Sequence, residues 1–174
     1  MYRLVDAGAT RLGPPPPNGR DSGGVVLRDP FGAIVALTPV TAAPPEACVA
    51  WHLHTSRDEE AAFELYSGIL GWTALERQDL GERGRHVTFT WGDAQPAGST
   101  CDMARRPHVH AQWLYFFPIA NLDAALARVR ELGGLTLPAT TTPEGSRVVA
   151  CDDPQGAAFG LYEIAAGTRR TSMT

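Results

Sequence analysis

The sequence predicts an α+β fold built from a repeated unit of one strand, one helix and three strands (βαβββ). A repeat carries most of that reading. Arg3, Gly8, Leu12, Val25, Asp29, Pro30, Gly32, Ala33 and Leu37 reappear roughly 125 residues later as Arg128, Gly133, Leu137, Val149, Asp153, Pro154, Gly156, Ala157 and Leu161, with one single-residue gap. Both copies end in Asp-Pro-x-Gly-Ala and an apolar run, with Asp, Pro and Gly at the first, second and fourth positions of a type I turn. Two further segments each set a strand-like run ahead of an amphipathic helix, completing the unit.

In chain order, residues 1–40 read as this unit without its first strand and most of its helix, and residues 47–105 and 108–165 as two full copies. The copies open with strands at Cys48 to Thr55 and Gln112 to Pro118. The helices that follow keep Ala62, Leu65, Tyr66 and Ile69 on one face, and Leu122, Ala125, Leu126 and Val129 on the other's. Ser56 with Glu59 resembles a capping box, Asn121 is an N-cap, and Gly133-Gly134 ends the later helix. Short strands follow at Thr73 to Arg77, His86 to Trp91, Ala97 to Met103, Leu135 to Leu137, Arg147 to Cys151 and Ala157 to Tyr162. Pro14 to Pro17 reads as a stiff hairpin loop, because the repeat places it between two strands. Thr41 to Glu46, with Ala42-Ala43-Pro44-Pro45, reads as a linker (41–46), and residues 166–174 as a tail.

Composition narrows the function classes. The 174 residues, 44% hydrophobic, are enough to bury a core, and no stretch is long enough to span a membrane. The N-terminus lacks a signal-peptide layout, so a cytoplasmic protein is the expectation. All 15 basic residues are Arg and the formal net charge is −4, which argues against a nucleic-acid footprint. Cys48, Cys101 and Cys151 lie far apart without CxxC spacing and read as buried thiols. No phosphate-binding glycine loop or serine-triad context is present.

The helix entry Glu60-Ala61-Ala62-Phe63-Glu64-Leu65-Tyr66 running into Gly71-Trp72, the run Trp113-Leu114-Tyr115-Phe116-Phe117 leading to Leu122-Asp123-Ala124-Ala125, and the terminal Asp153-Pro154-Gln155-Gly156-Ala157 together resemble the vicinal oxygen chelate superfamily. This is the glyoxalase, bleomycin-resistance and extradiol-dioxygenase group, and the chain is most similar to its tandem two-domain actinobacterial branch. The resemblance implies paired βαβββ units forming an open, curved barrel around a ligand cleft. Residues 47–165 would supply one whole glyoxalase-like domain, and residues 1–40 the tail of a preceding one.

Family enzymes hold a divalent metal through His, Gln or Glu on the inner face of the strands, and the departures from that pattern set the functional expectation. Counting back from the residue that opens each helix puts Trp51 and Leu114 at the first-strand ligand positions; counting on from each turn aspartate puts Gly160 and Ala36 at the last-strand positions. None of these side chains ligates a metal. Cys101 or Asp102 is left for the remaining position. The count turns Trp51, Leu53, Gln112, Leu114, Phe116 and Tyr162 inward as a mostly apolar, ligand-binding lining. The expectation is therefore a metal-independent protein, without cofactor, that sequesters or carries a small hydrophobic or planar molecule. The alternative is a lyase, isomerase or dioxygenase of the glyoxalase type working with or without a divalent metal. A one-residue slip of the first strand would turn His52 and His54 inward as its ligands. Acid–base candidates for the alternative are His86, Asp102, His54 and Tyr162. The odd number of units leaves strand edges open, so a homodimer is expected.

Overall fold

The computed structural model describes residues 2–13, 24–38, 49–92, 95–142 and 145–163. The proline run, the linker, Cys48 and the C-terminal tail lie outside the described residues. The chain divides into two compact units, one of residues 1–46 with 52–113 and the other of residues 47–51 with 114–174.

The first unit holds two sheets. Helix α1 (Tyr2–Asp6) precedes strands β1 (Thr10–Leu12), β2 (Val25–Arg28) and β3 (Ile34–Leu37), which pair in that order as an antiparallel sheet. The second sheet runs β4 (Trp51–Thr55), β7 (Pro96–Cys101), β6 (Arg85–Trp91) and β5 (Trp72–Asp79), with β4 and β7 parallel. Helix α2 (Glu59–Leu70) covers one face of it through Ala62, Phe63 and Tyr66. The core joins both sheets: Leu4, Val25 and Leu27 from the N-terminal segment pack with Phe63, Tyr66, Trp72, Val87 and Phe89. Trp72 and Phe89 stack with centroids 3.8 Å apart. The N-terminal segment is thus built into the core, which burial of side chains such as Leu4 and Leu27 stabilises by about 1.5–3 kcal/mol each.

In the second unit β8 (Gln112–Ile119) pairs in parallel with β12 (Ala158–Glu163), which continues to β11 (Arg147–Asp152) and β10 (Thr140–Thr141), while β9 (Leu135–Thr136) also pairs with β11. Helix α3 (Leu122–Glu131) packs Leu122 and Leu126 on Val149, Cys151 and Leu161.

The repeat seen in the sequence is reproduced pair by pair. Val25 faces Leu37, Val26 faces Ala36 and Leu27 faces Val35; at the counterpart positions Val149 faces Leu161, Ala150 faces Gly160 and Cys151 faces Phe159. Both turns close as expected, with Gly32 N–H donating to Asp29 O (3.1 Å) and Gly156 N–H to Asp153 O (2.9 Å). The two glycines sit at φ 104° and 88°, a region in which a side chain would be strained.

Two local expectations are corrected, and one strand is added. The cap of α2 is Asp58, whose carboxylate accepts from Ala61 N–H (3.0 Å), while the Ser56 hydroxyl instead accepts from Asp58 N–H. Ser56 and Asp58 are both good caps, and local sequence does not rank them. The strand expected to reach Met103 stops at Cys101, because Met103–Arg105 winds into a single 3-10 turn. A short strand at Thr140–Thr141, unsignalled by any apolar alternation, joins the edge of β11.

Candidate functional site

Each unit has a face away from its helix, and strand alternation assigns side chains to it. In the first unit the ring of His54 lies 5.3 Å from that of Tyr66 on α2, so His52 and His54 occupy the helix side. Leu53, between them, points the opposite way, and Trp51, which opens β4 and is grouped with the second unit, alternates with His52 onto the Leu53 side of the strand. Leu53 is paired with Ser99, Ser99 with Thr88, and Cys101 with His86, which puts those side chains on the Leu53 face. Trp113 reaches Tyr66 on the helix side, leaving Gln112 on the other. In the second unit Leu161 packs beneath α3, so its neighbours Gly160 and Tyr162 face away from the helix. Phe116 lies over Gly160, its register partner, and Leu114 shares its face. All six expected lining residues thus lie on helix-free faces. Leu114 and Phe116 are buried, and the others are partly buried.

That lining does not coincide with the clefts described in the first unit. One of about 250 Å³ is bounded by Asp79, Arg85, Asp102, Arg105 and Arg106, and one of about 190 Å³ by Glu59, Glu60, Arg77, Gln78 and His86. Both are bounded by charged and polar residues whose charges are largely paired: Arg85 bridges Glu59 and Asp102 at 3.1 Å each, and Arg77 meets Glu60 at 2.8 Å.

The acid–base candidates separate by environment. Burial pushes His86 below its ordinary value, partly countered by its bond to the Arg83 carbonyl. Since that carbonyl only accepts, His86 Nε2 carries the proton (2.9 Å) and Nδ1 is left to accept from the Ser99 hydroxyl at 3.3 Å. Asp102, which burial would raise, is held low by the N–H groups and charge of Arg85, with help from Arg105. Burial raises the Cys101 and Cys151 thiols, leaving them protonated.

His54 belongs to a network that sequence reasoning missed. Its Nε2 donates to Asp29 Oδ2 at 2.9 Å, and the Tyr66 hydroxyl donates to the same oxygen at 2.9 Å. Trp113 Nε1 in turn donates to the Tyr66 oxygen at 3.2 Å. The His54 side chain is fully buried, and its Nδ1 has no hydrogen-bond partner among the described residues. Burial alone would raise Asp29, but the bond and charge of His54, the Tyr66 hydroxyl and the Ala33 N–H outweigh it and hold the carboxyl below the usual range. The only local signal was Asp29 itself, which the sequence presents as a turn residue.

These positions do not fit the family's metal. Trp51, Leu114 and Ala36 bring no ligating atom, and a Cβ on Gly160 would run into the Phe116 ring, so that position has no room for a ligating side chain. His52 and His54 both lie on the helix side: His54 bonds Asp29 through Nε2 with its ring among those of Phe31, Tyr66 and Trp113, and His52 Nδ1 bonds the Ala97 carbonyl at 2.9 Å. Among the described residues no three His, Cys, Asp or Glu side chains converge.

The model of the Glyoxalase/Bleomycin resistance protein/Dioxygenase superfamily matches residues 52–161, more than half of the chain. The chain belongs to this superfamily. It is similar to the anthracycline biosynthesis proteins DauV of Streptomyces sp. (strain C5) and DnrV of Streptomyces peucetius, each 28% identical over 126 residues. Those matches cover 65% of this chain and 46% of the relatives, so the chain spans about half the length of the curated relatives it matches. Among solved structures, methylmalonyl-CoA epimerase from Mycobacterium tuberculosis superposes with a TM-score of 0.51 at 18% identity, covering 71% of this chain and 93% of that one. A variant of the Streptomyces coelicolor methylmalonyl-CoA epimerase in complex with 2-nitronate-propionyl-CoA gives 0.53 at 18% identity, covering 69% and 99%. At that identity the likeness is one of fold, the α+β arrangement of βαβββ units. No helix among the described residues is long and apolar enough to cross a membrane.

Proposed function

We propose that this superfamily member binds a planar, largely hydrophobic small molecule without a metal, through the helix-free face of a unit, which carries Leu53 and Gln112 in the first unit and Trp51, Leu114, Phe116 and Tyr162 in the second. The observation that carries the reading is the exchange of ligating for apolar residues at the counted positions, most plainly at Gly160, where Phe116 fills the space a ligand side chain would need. An apolar lining with a few polar tips suits a small organic ligand. The names of DauV and DnrV point the same way, towards the planar aromatic products of anthracycline biosynthesis. The protein would sequester or carry such a molecule.

The test is a fluorescence titration with a polycyclic aromatic panel, a hydroxyanthraquinone first, and a flexible aliphatic control. Saturable binding at about micromolar ligand, weakened in Phe116→Ala, is expected. Indifference to the whole aromatic panel would sink the reading. His86 favours a second reading: a neutral imidazole beside Ser99, on the same face as Leu53, is equipped to accept a proton in a lyase or isomerase reaction. Conversion of a bound ligand that stops in His86→Ala would move the protein to that class.

A further inference from the structure

The two Asp-Pro-x-Gly-Ala turns are alike in fold and differ in one atom's company. In both, aspartate Oδ1 accepts two backbone N–H groups: Phe31 and Ala33 at 2.9 and 2.8 Å for Asp29, Gln155 and Ala157 at 2.8 Å each for Asp153. Closing the turn needs nothing more. The second oxygen of Asp29 is committed to His54 and Tyr66, inside a nest of rings formed by Phe31, Tyr66 and Trp113, whose centroids lie 5.9, 5.3 and 4.9 Å from that of His54. Asp29 is 3% exposed. A carboxylate taken this far from water must be repaid by its partners, and the turn alone does not require it.

The Tyr66 hydroxyl links Asp29 to the ligand face. Having given its proton to Asp29, its oxygen is turned to accept from Trp113 Nε1, and the Tyr66 and Trp113 rings meet edge to face at 5.1 Å. Trp113 directly follows Gln112, and the two point to opposite faces of β8. Whatever fixes the Trp113 side chain fixes the rotation of the strand at Gln112. We propose that Asp29 is a positioning residue for the ligand site: through Tyr66 and Trp113 it sets the orientation of Gln112, so the N-terminal repeat serves binding as well as the core. Asp29 lies outside the 52–161 span that the family model matches, so this role is peculiar to the segment in front of it. The inference rests on the ligand-binding reading above and is tested so that either can fail alone.

Asp29→Asn keeps the Oδ1 acceptor of the turn and replaces the second oxygen with an NH2 group. Asp153→Asn makes the same change in the other turn and is the matched control. Tyr66→Phe removes only the hydroxyl and serves if Asp29→Asn folds poorly. Val87→Ala removes packing from the same core and takes away none of the network's hydrogen-bonding groups. Two readouts are taken on the full chain: the Trp113 indole N–H and Gln112 amide NMR signals, and the dissociation constant for the hydroxyanthraquinone. Asp29→Asn and Tyr66→Phe are expected to shift both signals and weaken binding about tenfold, while Asp153→Asn and Val87→Ala leave the affinity within about twofold. Unmoved Trp113 and Gln112 signals in both network variants would overturn the inference whether or not the ligand binds. So would an affinity loss in Val87→Ala as large as in Tyr66→Phe, since that would reduce the network to general stability. A wild-type protein that ignores the ligand, with shifted NMR signals, would retire the ligand reading and leave the positioning of Gln112 standing.

Discussion

His54 shows how one partner changes a residue's chemistry. On a strand beside His52 it has the spacing of a metal ligand, yet its Nε2 is spent on Asp29 and its ring is sealed by aromatics. Removing it would leave the Asp29 carboxylate buried with only Tyr66 and the turn N–H groups, so His54→Ala is expected to cost about 3 kcal/mol in urea unfolding; a cost near zero would show the pair to be ornamental. The pH dependence has a definite sign. Asp29 is held below its unfolded value, so its ionised form stabilises the protein at neutral pH, and that contribution fades as pH falls below about 4 and through the lower folded value. Urea midpoints measured from pH 7 to 3 should therefore drop more steeply in the wild type than in Asp29→Asn.

At the scale of elements, the repeat was legible because it lies in the order of residues: the turn Asp, Pro and Gly and the alternating apolar positions specify both hairpins and their register. The register of β4 was only half legible: the spacing back from the α2 start agreed with that from α3, but a one-residue slip stayed open in the sequence, and it is the approach of His54 to Tyr66 that puts His54 on the helix side. The company of Asp29 was not, because His54 is 25 residues away in sequence and Tyr66 37, and no local pattern marks such contacts. The capping residue of α2 was missed for the opposite reason, two good local candidates competing within one turn. Gly160 gives this scale its prediction. Because Phe116 occupies the space above it, Gly160→Ala must displace that ring from the β8–β12 pair, at a cost of about 1–3 kcal/mol. A thermal midpoint equal to the wild type would mean that Phe116 is not held there.

Over the whole molecule, the N-terminal repeat and residues 52–113 form one compact unit with a shared core, although the family match begins only at residue 52. A chain trimmed to the matched span would expose Phe63, Tyr66 and Trp72, and would leave His54 without its carboxylate. We propose that a fold used by metal enzymes here binds a planar ligand with no metal. The most direct test is calorimetric titration of a hydroxyanthraquinone into protein purified without a His tag, after chelator treatment and again with added Mn, Fe, Ni or Zn, with metal content measured by mass spectrometry. The same dissociation constant is expected in every case, with metal far below one per chain. Binding that appears only with stoichiometric metal, and is lost when His52 and His54 are replaced, would contradict it.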